Sequence, residues 1–105
     1  LRKRPFEWLY NGLVKKAKEE NKWSDLSYEE FLEFTRENIC FYCWKPVAWA
    51  PFTNRKEAYN LDRKNNKGKY TKTNLVVCCF RCNQGKSDKF SFEEWNGMTE
   101  IFRRI

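Results

Sequence analysis

Leu75-Val76-Val77-Cys78-Cys79-Phe80-Arg81-Cys82-Asn83-Gln84-Gly85-Lys86 carries a short apolar run straight into a Cys-x-x-Cys pair and then into residues suited to a short helix starting near Cys82 or Asn83. A second pair, Cys40-Phe41-Tyr42-Cys43, lies upstream with 35 residues between the two. Two such pairs can set four thiolates at the corners of a tetrahedron, the closed geometry of structural Zn2+. Each close pair comes from a tight turn, so little ordering entropy remains when metal arrives, and roughly 10–16 kcal/mol of binding energy becomes folding energy. A chain of 105 residues has use for that contribution. The competing reading is disulfides, which need an oxidising compartment. Leu1-Arg2-Lys3-Arg4 has no apolar h-region, so no secretory signal is expected, and five cysteines would leave one unpaired. Cys78 is the extra thiol. Only Cys79 gives the two-residue gap to Cys82, so the expected zinc ligands are Cys40, Cys43, Cys79 and Cys82.

Working outward, aromatic residues make up 18% of the chain, too much ring surface for a disordered tail. The length fits one domain over residues 1–105, with a helical flank at 1–39, a core at 40–90 and a C-terminal helix at 91–105. Apolar runs of only a few residues exclude a transmembrane helix, and no membrane partner is expected. The missing initiator Met suggests a trimmed chain or a fragment. There is no histidine, which excludes any chemistry that needs an imidazole from this chain.

The net charge of +7 is concentrated. Residues 1–39 balance eight basic against eight acidic side chains, whereas residues 54–89 hold ten basic and three acidic ones. A basic segment of that kind is the footprint of a polyanion binder, nucleic acid first, against the plainer reading of a solvated loop.

Local signals supply the elements. Pro5 suits a first helical turn, and Phe6, Leu9, Tyr10, Leu13, Val14 and Ala17 recur at helical spacing, predicting a helix over about 5–21. Ser27-Tyr28-Glu29-Glu30 reads as a capping box for a helix to about Glu37, with Leu26 stapled onto Phe31. Val47-Ala48-Trp49 and Ala58-Tyr59-Asn60-Leu61 read as two short strands around a turn from Pro51 to Arg55. Residues 62–72 are polar and contain Gly68, which predicts a loop. Ser91-Phe92-Glu93-Glu94 is a second capping box, followed by a stripe of Phe92, Trp95, Met98, Phe102 and Ile105. Trp44 and Trp49 are expected in packing rather than as platforms for bases.

Leu61-Asp62-Arg63, then Gly68-Lys69-Tyr70-Thr71, then Asn74 and the run Cys79-Phe80-Arg81-Cys82-Asn83-Gln84-Gly85-Lys86 together resemble the HNH, or ββα-metal (His-Me finger), endonucleases. The likeness is to the zinc-stapled branch common in phage and mobile elements, and it covers about 40–86. It implies an α+β fold: a small ββα-metal core with a four-cysteine structural zinc site and flanking helices. Asp62 matches the carboxylate ligand of a catalytic divalent cation, and Asn83 the second ligand, supplied by the helix. Asn74 matches the central Asn that orders the loop. Lys86 matches a basic position suited to phosphate. Carboxylate and amide oxygens are hard donors, suited to Mg2+ or Mn2+. The family places His after the Asp as general base, and here Arg63 stands instead. A guanidinium is not deprotonated in proteins, but it can clamp a phosphate bidentately. The base is left open among Tyr59, Tyr70, a loop lysine and solvent hydroxide. Taken singly, Asp62 would serve as a turn residue and Asn83 as a helix cap.

The resemblance thus implies a metal-dependent DNA endonuclease or nickase in the cytoplasm of a bacterium or phage-infected cell. Its catalytic residues are expected to be Asp62, Arg63, Asn74 and Asn83. Double-stranded DNA is the expected partner, contacted by Arg63, Lys64, Lys67, Lys69, Lys72, Arg81 and Lys86. The rival is a non-catalytic zinc-binding nucleic-acid module. A structural zinc domain for protein contacts is a third reading, and the concentrated charge counts against it.

Overall fold

The computed structural model describes residues 5–23, 25–50 and 54–104. Leu1–Arg4, the tip of the turn at Pro51–Thr53 and the final stripe residue Ile105 lie outside the described residues.

Helix α1 (Glu7–Glu19) buries Ala17 and packs Leu9, Tyr10 and Leu13 partly against the core. Helix α2 (Tyr28–Phe34) begins at the expected capping box: the Ser27 hydroxyl accepts from the Glu30 amide at 3.1 Å, and the Glu30 carboxylate accepts from the Ser27 amide at 2.9 Å. Two orphan amides are satisfied this way, and Leu26 and Phe31 are both buried. The helix stops at Phe34 rather than near Glu37. The Thr35 hydroxyl donates back to the Leu32 carbonyl at 2.6 Å and competes with the helical ladder. Tyr10, Phe31 and Trp49 join the two helices to the rest of the core, with ring centroids 5.6 and 6.0 Å apart along that series.

The sheet differs from the expected hairpin. Strand β1 (Asn60–Arg63) pairs antiparallel with strand β2 (Leu75–Cys78), Asp62 opposite Val76 and Asn60 opposite Cys78. The segment at 47–49 makes only a bridge from Ala48 to Ala58. Burial explains the choice: every residue of Leu75–Cys78 is buried, so this run has the apolar content for a strand packed into the core. Trp49 stacks instead on Tyr59, with centroids 3.9 Å apart, and donates its indole N–H to the Glu37 carbonyl at 2.8 Å. Asp62 and Arg63 therefore stand in a strand, not in the loop the sequence suggested, and the loop begins at Lys64.

Helix α3 (Phe80–Lys86) follows β2 after a single residue, Cys79, which caps it. Helix α4 (Phe92–Met98) starts at the expected Ser91/Glu94 capping box. The single C-terminal helix of the sequence reading is divided at Thr99, whose buried hydroxyl donates to the Trp95 carbonyl at 3.0 Å, and α5 (Glu100–Arg103) follows. Of the predicted stripe, Trp95 is buried, while Met98 and Phe102 face solvent. Trp44, expected in packing, is 59% exposed and carries the Arg103 guanidinium over its ring at 5.5 Å.

The order β1–β2–α3, flanked by helices on both sides in sequence, is the α+β arrangement that the resemblance implied. Its compactness depends on Gly85, because a Cβ there would lie 2.5 Å from the Trp95 ring. Gly85→Ala is expected to destabilise the fold by about 1–3 kcal/mol, read as a lower urea midpoint, because α3 and Trp95 must separate.

Candidate active site

The site is assembled from two ends. At one end, the Cys40–Cys43 turn is closed by the Cys40 amide donating to the Lys45 carbonyl at 2.7 Å and by Trp44 in a left-handed conformation at φ 67°. It docks on β2 through the Phe41 amide, which donates to the Val77 carbonyl at 2.8 Å. The Cys43 amide donates to the Cys40 sulfur at 3.5 Å, and the Cys82 amide to the Cys79 sulfur at 3.4 Å, so the two pairs share one local geometry. The four buried Sγ atoms of Cys40, Cys43, Cys79 and Cys82 lie within 4.8 Å of one another. Cys43 and Cys79 are 3.6 Å apart, close to the roughly 3.8 Å edge of a tetrahedron with metal–sulfur bonds of about 2.3 Å.

Acid–base chemistry agrees with a metal-holding set. Hydrogen bonds from Cys79 and Cys82 hold the Cys40 thiol well below its usual range. The bond with Cys40 pushes the Cys79 thiol up to about 11 and drives Cys82 far higher. Thiolates are the metal-binding form, so a cation held among these sulfurs would favour their ionisation. The cluster could bind a metal such as zinc. Cys78 stays outside it, its thiol raised by burial.

At the other end lies Asp62. The Tyr42 hydroxyl, from inside the cysteine turn, donates to Asp62 Oδ2 at 2.6 Å. Burial and the neighbouring carboxylate push the Tyr42 phenol far above its ordinary value, so it remains a donor. Lys86 Nζ lies 3.3 and 3.4 Å from the two carboxylate oxygens. Asn83 stands in the body of α3, not at its cap, and its Nδ2 donates to Asn60 Oδ1 at 3.2 Å. That bond commits the amide nitrogen and leaves its oxygen available. Asp62, Arg63 and Asn83 line one cleft of about 230 Å³, together with Lys16, Tyr70 and Asp88. A carboxylate and a free amide oxygen in one cleft are a donor set that fits a hard divalent cation.

Arg63 and Asn74 organise the loop after β1. Arg63 donates to the carbonyls of Asn66 and Gly68, each at 2.8 Å, and its guanidinium lies 5.4 Å from the centre of the Tyr70 ring. Asn74 Oδ1 accepts from the Asn65 amide at 2.9 Å, while Nδ2 donates to the carbonyls of Asn65 at 3.2 Å and Lys69 at 2.9 Å. A Cβ on Gly68 would come within 2.7 Å of that nitrogen, which accounts for a glycine in the loop. Tyr59 lines a neighbouring cavity rather than this cleft, and burial raises its phenol.

The basic candidates divide. Arg63, Lys64 and Lys67 line a larger groove of about 870 Å³, joined there by Lys89, which the sequence placed in the basic segment but not among the expected contacts, and by Lys22, which lies in the charge-balanced segment and belongs to no motif. The groove and the cleft share Arg63, Asn66 and Asp88 as walls. Lys69 is exposed outside both. Lys72 pairs with Glu33 at 2.7 Å, and Arg81 lies over Phe102 at 4.8 Å. Lys86, expected at a phosphate, is instead fully buried, because its ammonium is spent on Asp62 and its neighbours.

A ββα unit with these features is the fold of an HNH endonuclease, as a comparison with solved structures bears out. The rare-cutting HNH restriction endonuclease PacI superposes with a TM-score of 0.75 over 92% of this chain and 75% of its own, at 21% sequence identity. The CRISPR-associated endonuclease Cas9 of Corynebacterium diphtheriae is 29% identical over 94 residues, 89% of this chain. The chain spans 8% of the length of that curated relative. No protein-family model matches the chain.

The sulfur geometry separates the adjacent cysteines. Cys79→Ser is expected to abolish retained metal, measured by elemental analysis of the reduced protein, whereas Cys78→Ser keeps about one atom per chain.

Proposed function

We propose that residues 1–105 form one HNH endonuclease domain that hydrolyses phosphodiester bonds in double-stranded DNA with Mg2+ or Mn2+. The observation that carries the reading is the meeting of Asp62, Arg63 and Asn83 in one cleft that shares its walls with a lysine-lined groove. Asp62 and the Asn83 amide oxygen would hold the divalent cation. When bound, that cation neutralises charge on the scissile phosphate and on the departing 3′-oxygen. The N–H groups of Arg63 that are not committed to loop carbonyls donate to a phosphate oxygen. Tyr42 and Lys86 keep the Asp62 carboxylate in one orientation. Attack of water on phosphorus then breaks the bond to the 3′-oxygen and leaves 5′-phosphate and 3′-hydroxyl ends.

Zn2+ in the four-cysteine cluster is structural in this reading, and Cys40, Cys43, Cys79 and Cys82 are its ligands. A reducing cytoplasm keeps those thiols available. No described helix is long and apolar enough to cross a membrane. DNA would lie along the groove, its phosphates meeting Lys22, Lys64, Lys67 and Lys89. One observation favours a non-catalytic nucleic-acid module instead: the Asp62 carboxylate already has two protein partners.

Plasmid nicking with Mg2+ or Mn2+ decides between them. Cleavage that falls at least about a hundredfold in Asp62→Ala and Asn83→Ala, with the fold intact by circular dichroism, supports the enzyme. Undiminished cleavage in both variants overturns the site, and salt-dependent binding without cleavage of any DNA favours the module. Lys67→Glu and Lys89→Glu are each expected to weaken binding across sequences and to reduce the slope of log affinity against log salt by about 1.

A further inference from the structure

Lys86 closes α3, and its side chain is 0% exposed. Burying an ammonium is costly unless it is paired and every donor is used. Here Nζ lies 3.3 Å from Asp62 Oδ2 and 3.4 Å from Oδ1, 3.1 Å from Asn66 Oδ1 and 3.2 Å from the Arg63 carbonyl. Its three protons are therefore spent on one strand residue, that residue's neighbour and the loop beyond. The Asp62 carboxylate is itself only 6% exposed and shares its remaining hydrogen bond with Tyr42. A phosphate has no exposed surface of Lys86 to touch.

We infer that Lys86 is a positioning residue: a built-in cation that fixes the Asp62 carboxylate and the start of the loop, and that keeps the cleft's affinity for a free divalent cation low until an anionic substrate enters. The inference rests on Asp62 as a cation ligand. Electrostatics set its direction. The ammonium contacts the same two oxygens that would attract a dication, and like charges around one carboxylate oppose each other strongly in a poorly solvated site. A phosphate in the cleft adds negative charge and offsets that opposition. Retention of the cation is thereby tied to the presence of DNA. The same ammonium removes the cost of leaving a lone buried carboxylate when no metal is present.

Titration of the DNA-free protein with Mn2+, followed by the electron paramagnetic resonance of the free ion, reads the effect without any cleavage. Lys86→Met is expected to bind Mn2+ at least about tenfold more tightly than the unmodified chain, and to gain more thermal stability from Mn2+. Lys86→Arg, which keeps the charge, is expected to stay near the unmodified affinity. The double variant Asp62→Asn with Lys86→Met should lose the gain. Where Lys86→Met does not fold without metal, Lys86→Gln carries the same expectation, and failure of both to fold in saturating Mn2+ overturns the inference. Unchanged or weaker Mn2+ binding by a folded Lys86→Met also overturns it. Asp62→Asn alone keeps the two questions apart. If it binds Mn2+ like the unmodified chain, the cation site itself is misassigned. If it loses Mn2+ while Lys86→Met shows no gain, only the role of Lys86 fails.

Discussion

Four sulfur atoms within 4.8 Å of one another join the turn at Cys40–Cys43 to the start of α3, and the rest of the arrangement follows from that join. Among the described residues the sheet is two strands of four residues, too little for stability on its own. Cys79 fixes where α3 begins, one residue after β2, and hence which turn of α3 presents Asn83 and Lys86. On the other side, Tyr42 sits between the two upstream cysteines and reaches Asp62 at 2.6 Å. The four-cysteine cluster and the candidate cleft are therefore one hydrogen bond apart. A disturbance of the turn would reach the cleft through the Asp62 carboxylate.

The loop between the strands shows a second economy of parts. Arg63 and Asn74 approach it from opposite ends, the guanidinium holding the carbonyls of Asn66 and Gly68, the amide holding Asn65 and Lys69. Such carbonyls are obligatory acceptors, and a loop of this polarity would otherwise meet them with water. The guanidinium at position 63 thus supplies loop order as well as positive charge. It also leaves part of the guanidinium facing the cleft, where it is a donor and not a base.

Much of this was legible in the sequence because the signals are local. The two capping boxes, the choice of Cys79 over Cys78 and the helix beginning close to the second cysteine pair depend on residues within a few positions of each other. What the sequence did not reveal depends on pairing across distance. Strand 60–63 had two apolar candidates as partner, and only the burial of all four residues from Leu75 to Cys78 decides between them. The division of the C-terminal helix at Thr99 hinges on a hydroxyl that burial turns toward its own backbone. Trp44 looked like packing because tryptophans usually are; its left-handed turn leaves it outside.

Lys86 is the instructive case for charge. Read along the chain, it is one of ten basic residues between 54 and 89 and counts toward a polyanion surface. In space that set comes apart. Lys72 answers Glu33, Arg81 lies on Phe102, and Lys86 is enclosed with Asp62. The groove recovers its positive character from Lys22 and Lys89, the first of them in a segment whose charges balance. Net charge along a segment therefore does not say which basic side chains stand free in a groove and which are spent on neighbours. An ammonium buried against a carboxylate adds nothing to the outer field; its influence is confined to the few ångströms in which the two oxygens of Asp62 must choose between partners.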